Sequence, residues 1–338
     1  MENTPASILI LDTAWVGDVV FTTSLIGAVK RAWPGSELHI LVAPRGEPVV
    51  QRHPLVDRVW VYDKHRTQKS LRSSRKLAHT LRGEHFDLIL NAHPSFRSRL
   101  LTRIIGAPLS IGYRGFGSRS CFTHSIPNDL AVEPDHVVRR VNLLRVLRPD
   151  AQPEPLTIGL DPEAVRWAEE FLTSHGAQGS PRLALVCGSA WNTKRWSSDH
   201  FAEIARRWHR NGGHTLAIGG RAESDDVAFI TAKGEAIPLI QEPLTRVAAL
   251  LARCEVTVGN DTGVSFLAIA AGCPKVIVLY GSTQVNYNFP APHKAITAGA
   301  PCCLPRTGHG ARRCKWGNDP WCMGQISVEK VWQELATR

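Results

Sequence analysis

The sequence predicts an α/β protein folded as two Rossmann-like units, and three observations lead there. Short apolar runs alternate with segments of helical period along most of the chain. The alternation is interrupted once, by a proline-rich stretch carrying Pro149, Pro153, Pro155 and Pro162, and then restarts. The 338 residues also exceed one ordinary core of about 150 residues, so two domains are expected, over residues 1–155 and 156–338.

Each element follows from local chemistry. Residues 8–11 are an uninterrupted apolar run, read as a strand; a polar loop follows, then Val19, Val20, Ile26 and Val29 at helical spacing. Pro34-Gly35 cannot continue that helix. Further strands are expected at 38–42, 58–62 and 88–90, with a helix through the basic stretch between the last two. The pattern is irregular over 106–135 and recovers in an amphipathic helix at 137–147. Beyond the prolines, strands are expected at 183–187, 215–218, 237–240, 256–258 and 276–280, and helices at 198–209, 244–252, 264–271 and 327–335. The last helix has the option of packing back on the first domain. Alternating strands and helices imply parallel sheets covered on both faces, with ligands at the carboxyl ends of the strands, in a cleft between the two domains.

Composition narrows the function. A hydrophobic fraction of 43% with 21% charged residues describes a folded chain and excludes disordered, collagen-like and coiled-coil classes. No run approaches the roughly 18–20 apolar residues of a membrane span, and residues 1–7 lack the basic start of a secretion signal, so a cytoplasmic protein is expected. The net charge is +10, and eight of those charges fall within residues 1–150. Between Lys64 and Gly83 there are seven cations, Arg66, Lys69, Arg72, Arg75 and Lys76 among them, and no acid. Nucleic acid, phospholipid headgroups and a phosphorylated substrate all suit such a stretch, as does plain solvation of a helix face. Eight cysteines are too sparse for a disulfide scaffold. Cys302, Cys303, Cys314 and Cys322 crowd the final forty residues without the paired spacing of a zinc site, so no metal is expected.

Four loops after apolar strands carry the polar residues. The first, 12–18, has one glycine and no Lys-Ser/Thr, so it is neither a dinucleotide fingerprint nor a phosphate-binding P-loop. Gly17 permits a turn or a close approach, and Asp18 opens the helix, where an acid also suits the macrodipole. In Gly259-Asn260-Asp261-Thr262-Gly263 a helix starts with open amides that suit a phosphate. Tyr280-Gly281-Ser282-Thr283 sets two hydroxyls beside a glycine. Gly188 to Trp196 places Lys194 and Arg195 between two tryptophans, a set able to neutralise a diphosphate and cover it with a ring.

In their order and spacing these motifs resemble the bacterial glycosyltransferase family 9, best known for ADP-heptose:lipopolysaccharide heptosyltransferases. The resemblance runs over essentially the whole chain: Gly17-Asp18, Arg31-Ala32-Trp33-Pro34, the Trp-x-x-Lys-x-Trp run ending at Trp196, Asn260-Asp261-Thr262-Gly263, Tyr280-Gly281-Ser282-Thr283, and a cysteine-rich tail ending Cys322-Met323-x-x-Ile326. It implies a GT-B fold, two Rossmann-like domains facing a cleft, with the acceptor on the first and the nucleotide sugar on the second.

By the same resemblance Asp18 is the general base, Lys194 a diphosphate or sugar ligand, Asp261 a ligand of the heptose hydroxyls, the Thr262 and Gly263 amides phosphate ligands, Glu223 a ribose contact, and Ser282 and Thr283 part of the donor site. The implied reaction is an inverting transfer from ADP-heptose to the phosphorylated inner core of lipopolysaccharide, without metal or other cofactor. The cations from Arg66 to Lys76 then face the acceptor or the anionic inner membrane, which makes the protein cytoplasmic or peripheral and removes nucleic acid as a partner. Three departures stand out: Phe266 replaces a usual histidine, Ser197 replaces a proline, and Cys302-Cys303 are adjacent. They leave open a related transferase with another sugar or acceptor, and a silent nucleotide-sugar-binding protein.

Overall fold

The computed structural model describes residues 4–179, 181–299, 313–314, 317 and 321–336. The chain divides into two compact units, Met1–Gly159 and Leu160–Arg338.

In the first unit β1 (Ser7–Asp12), β2 (Glu37–Val42), β3 (Arg58–Val61), β4 (Leu88–Asn91), β5 (Leu109–Tyr113) and β6 (His124–Ile126) form one parallel sheet. Its order is β3-β2-β1-β4-β5-β6. The connections are α1 (Val16–Ala32), α2 (Glu47–Val50), α3 (Leu71–Arg82), α4 (Phe96–Ile105) and α5 (Ser118–Cys121), and α6 (His136–Arg145) closes the unit against α1. Ile8, Leu9, Ile10 and Leu11 are all fully buried, because β1 is central and covered on both faces. Each such side chain gains about 1.5–3 kcal/mol on burial, so this strand alone rivals a typical net stability.

The second unit repeats the plan. It opens with α7 (Pro162–Ser174), capped by Asp161, whose carboxylate accepts from the Glu163 and Ala164 amides. Then come β7 (Arg182–Val186), α8 (Ser198–Arg210), β8 (His214–Gly219), α9 (Ser224–Gly234), β9 (Ile237–Ile240), α10 (Leu244–Leu251) and β10 (Val256–Asn260). After them follow α11 (Gly263–Ala270), β11 (Lys275–Tyr280), β12 (Lys294–Thr297), α12 (Trp321–Gly324) and α13 (Val328–Ala336). The sheet is parallel throughout, in the order β12-β11-β10-β7-β8-β9. Counted from its own first strand, each sheet has the doubly wound order, which reverses between β1 and β4 and between β7 and β10.

Among the described residues, nine elements lie where no strand or helix is expected: β5, β6, β12, α2, α4, α5, α7, α9 and α12. β5 and β6 occupy the irregular stretch, their apolar pattern cut by Gly112, Ser110 and Ser125. β12 is a four-residue edge strand, and α9 connects β8 to β9 with only Val227, Ile230 and Gly234 buried. The last helix does not need the first unit. Val331 is fully buried in the second core, with Val328, Trp332 and Leu335 packed against it, and Arg207 on α8 pairs with Glu329 (2.8 Å). That apolar face recurs every three or four residues and matches the surface of α8.

The segment before Gly159 is tied to the first unit by a buried histidine. His53 Nδ1 accepts from the Leu55 amide (3.2 Å), so Nε2 carries the proton and donates to Thr157 Oγ1 (3.2 Å). Protonating the ring would set two N–H groups against each other at Nδ1, and burial pushes the pKa down from 6.5 to about 4. The unfolded chain therefore takes up this proton first as the pH falls. The stability His53 protects is complete above pH 6.5 and declines towards pH 4, by about 3 kcal/mol there. Urea unfolding at pH 7 and pH 4 is expected to show that extra loss in the wild type and not in His53→Gln.

Candidate active site

At a reversal point the chain leaves two neighbouring strands in opposite directions, so no connection crosses their carboxyl ends. In the first unit the loops after β1 and β4 meet there, joined by Thr13 Oγ1 and His93 Nδ1 at 2.8 Å. Asp18 follows three residues after Trp15, in the first turn of α1. Its side chain is 24% exposed, and Oδ1 accepts from Arg140 Nη2 at 2.8 Å. Its Oδ2 makes no hydrogen bond among the described residues.

Arg140, on α6, is buried and fully engaged. Nε donates to Thr22 Oγ1 (2.8 Å), Nη1 donates to the His136 carbonyl (2.9 Å), and Nη2 also lies 3.6 Å from Asp12 Oδ2. Thr22 in turn donates to Asp12 Oδ2 (2.6 Å). One guanidinium thus serves two carboxylates. Burial raises the pKa of Asp12, the Arg140 charge only partly opposing it. Burial acts the same way on Asp18, but Arg140, His136 and His93 outweigh it and hold that carboxyl below the usual range. Asp18 is therefore ionised at neutral pH, with one oxygen open.

The same loop lines a cavity of ≈ 600 Å³ at the ends of β1 to β4, walled by Trp15, Arg45, Lys64, His65, Arg66 and His93 among others. Trp15 is 61% exposed, and the Arg45 guanidinium lies 4.0 Å over its ring. Lys69 lines an adjoining space of ≈ 420 Å³ with Arg97 and Ser95. The five sequence-selected cations accordingly divide. Arg66 and Lys69 face these spaces, whereas Arg72, Arg75 and Lys76 are exposed on α3 along a separate groove.

In the second unit the equivalent point lies between β7 and β10. Asn260 Nδ2 donates to the Cys187 carbonyl (2.7 Å) and Oδ1 accepts from the Trp196 amide (3.0 Å), so one buried side chain holds the 188–196 loop on β10. Lys194 ends a short 3-10 turn, Asn192–Lys194, and its Nζ donates to Asp261 Oδ2 at 2.7 Å. Thr283 Oγ1 donates to the same oxygen (2.8 Å), and Ser282 Oγ donates to Thr193 Oγ1 (2.9 Å). Lys194, Asp261, Ser282 and Thr283, from three loops, thus form one buried cluster. Thr262 caps α11 by backbone alone, its buried hydroxyl without a partner among the described residues, and Gly263 begins the helix. The ammonium of Lys194 keeps two N–H groups beyond its bond to Asp261.

Glu223 stands apart from that cluster, accepting from the Gly220 amide (3.1 Å) and from Arg195 Nη2 (2.9 Å). The tryptophan reading needs correction. Trp196 is a core residue, 2% exposed, its indole N–H bonded to the Ile326 carbonyl (2.9 Å) and its ring edge-on to Phe201. Arg195 is spent on Glu223 and the Ser189 carbonyl (2.9 Å). Phe266 is likewise buried, beside Tyr287 and Phe289.

Gly281 is a packing requirement, since a Cβ there would come 2.3 Å from Met323 Sδ and 3.2 Å from Cys322 Sγ. Cys322 is thus a core thiol, and Cys314 joins a single bridge to Gly317; Cys302 and Cys303 lie outside the described residues. Among the described residues no cluster of three or more His, Cys, Asp or Glu suits a metal ion.

Sequence reasoning missed Arg140, Asp12, Thr22 and His93. A signal for Arg140 existed. Val137, Arg140, Val141 and Leu144 follow the i, i+3, i+4, i+7 spacing of a buried stripe, so an arginine sits where an apolar residue belongs.

Comparison with known proteins agrees with this fold. Residues 74–307 match the profile of glycosyltransferase family 9 (heptosyltransferase). Lipopolysaccharide heptosyltransferase 1 of Pseudomonas aeruginosa is 27% identical over 320 residues, covering 89% of this chain and 86% of the relative. The crystal structure of a family 9 glycosyltransferase from Veillonella parvula superposes with a TM-score of 0.84 at 24% identity, covering 100% of this chain and 98% of the other. An E. coli heptosyltransferase solved with ADP-2-deoxy-2-fluoro heptose gives a TM-score of 0.71 at 19% identity, over 97% and 98% of the two chains. The fold is that of these GT-B enzymes.

Gly259 supplies a test of how the second site is built. A Cβ there would lie 2.4 Å from Ser265 Oγ and 2.7 Å from Val186 Cβ, and Ser265 donates to the Asn260 carbonyl (2.7 Å). Gly259→Ala is expected to cost about 1–3 kcal/mol by overpacking, displacing the start of α11. Thermal unfolding reads the loss. Gly35→Ala, with nothing within 4 Å of the new methyl, is the neutral control.

Proposed function

The chain belongs to glycosyltransferase family 9, the heptosyltransferase family, and on that premise we propose that it moves a heptose from ADP-heptose to the inner core of lipopolysaccharide. The observation that carries this reading is the ionised Asp18 with Oδ2 open, in the first turn of the helix that follows a loop lining a cation-walled cavity. Arg45, Lys64, Arg66 and Lys69 suit an acceptor bearing phosphates and carboxylates.

The reaction is a single displacement. The acceptor hydroxyl attacks the anomeric carbon and passes its proton to Asp18 Oδ2, while the bond from that carbon to the diphosphate oxygen breaks and its electron pair leaves with the nucleoside diphosphate. Attack opposite the leaving group inverts the anomeric centre. The charge gained by the diphosphate is met by the free N–H groups of Lys194 and by the amides of Thr262 and Gly263, and a divalent ion is not needed. Asp261, held by Lys194 and Thr283, is placed to accept from sugar hydroxyls.

No helix among the described residues is long and apolar enough to cross a membrane. We place the protein at the cytoplasmic face of the inner membrane, with Arg72, Arg75 and Lys76 against its anionic headgroups. At about 1 kcal/mol per cation these three contribute roughly 100-fold in partition, screened by salt. Co-sedimentation with phosphatidylglycerol vesicles is expected to fall by at least that factor in the Arg72→Glu/Arg75→Glu/Lys76→Glu variant, and binding indifferent to lipid charge and salt removes this surface role.

The central test is Asp18→Asn. ADP-heptose affinity, by calorimetry, is expected to stay within about threefold, while turnover falls by ~10² to 10⁴. Undiminished turnover excludes Asp18 as the base, and a panel of other nucleotide sugars tests the donor.

A further inference from the structure

We infer that Arg140 is a positioning residue for the transfer reaction: it fixes which oxygen of Asp18 faces the acceptor, and buried Asp12 anchors the guanidinium from behind. This inference rests on the reading of Asp18 as the base. Asp18 begins a helix and can rotate about its side-chain bonds, yet Oδ1 is taken by Arg140 Nη2 at 2.8 Å, so the carboxylate presents Oδ2. Arg140 cannot follow such a rotation. Its Nε–H is bonded to Thr22 and its Nη1–H to the His136 carbonyl of its own helix, and Asp12 lies 3.6 Å from Nη2. The Phe21 ring closes that side, 5.7 Å from the guanidinium carbon and stacked on His136 at 5.3 Å.

Only a planar fork makes all these bonds at once, so lysine is a poor substitute. Thr22 is the coupling element, since its one hydroxyl donates to Asp12 and accepts from Arg140. The chain thereby spends a buried arginine and a buried aspartate on aiming one half-open carboxylate. A purely structural strut needs only the Asp12–Arg140 pair and has no use for a bond to Asp18 at the edge of solvent.

The groups that set the titration of Asp18 lie on every element around it: Asp12 on β1, His93 after β4, Tyr113 on β5, and His136, Arg139 and Arg140 on α6. Arg140 is the nearest cation and lowers the Asp18 pKa. Removing it moves the acid limb of the kcat profile to higher pH.

The experiment compares Arg140→Gln, Arg140→Lys, Arg140→Gln/Asp12→Asn and Asp18→Asn in the full chain, reading thermal unfolding, donor KM, kcat and the pH profile of kcat. The double variant removes both buried charges, so it keeps the test alive where Arg140→Gln alone unfolds. The folded Arg140 variants are expected to lose about 10- to 100-fold in kcat with donor KM within about threefold, and to shift the acid limb upward, Arg140→Lys least. Wild-type kcat and an unmoved acid limb in the double variant, beside an inactive Asp18→Asn, overturn the positioning role. So does a loss of kcat in Arg140→Gln that the double variant restores together with stability. An active Asp18→Asn instead removes the premise, and the two failures are thereby told apart.

Discussion

The reversal of strand order in each sheet is the constraint on which everything else in this protein rests. Where the chain departs from β1 and β4 in opposite senses, and again from β7 and β10, the strand ends are left uncovered by any crossover. Both openings are floored by a fully buried asparagine on the fourth strand, Asn91 and Asn260. A buried amide costs about 1–3 kcal/mol unless it is bonded. Each is bonded to the loops that bear the site, Asn91 through the His93 amide (3.1 Å) and Asn260 through Cys187 and Trp196. The polar side chains are thus mounted on rigid strand ends.

Charge is handled differently at the two openings. In the second unit one ammonium meets one carboxylate, and the bond between Lys194 and Asp261 keeps both neutralised in the resting protein. In the first unit one guanidinium meets two carboxylates, and burial decides which gives way: Asp12 is driven towards its protonated form and Asp18 away from it. On the proposed mechanism a carboxylate of low basicity is still adequate. An alcohol becomes strongly acidic only as its oxygen bonds to the anomeric carbon, so the base must be ionised and well aimed more than it must be strong.

The legible parts of this protein were those where one residue type signals one role. Strands dominated by aliphatic residues at β1, β2, β7 and β11 were readable because inner parallel strands are apolar on both faces. The loops bearing Asp18, Lys194, Asp261 and Thr283 were readable because polar residues follow those runs directly. β5, β6 and β12 were not: β5 buries four residues but two of them are Ser110 and Gly112, and the edge strands β6 and β12 bury none and one. Trp196 misled because the sequence does not say whether an aromatic ring faces inward. Arg140 stayed hidden because its helix also carries Arg139 and Arg145, and its place in the stripe of Val137, Val141 and Leu144 was the one cue to which of them turns inside.

The position of the last helix bears on how the chain matures during synthesis. The first core is assembled wholly from residues before 160, so it can close while the ribosome is still making the rest. The second core includes Ile326 and Val331, both fully buried, and the Trp196 indole is bonded to the carbonyl of Ile326. Lys275 and Lys294, on the two outermost strands of that end, reach Glu334. The nascent second sheet therefore lacks the cover of its last helix until residues some 130 positions beyond Trp196 emerge, and over that interval part of its apolar face is open to solvent.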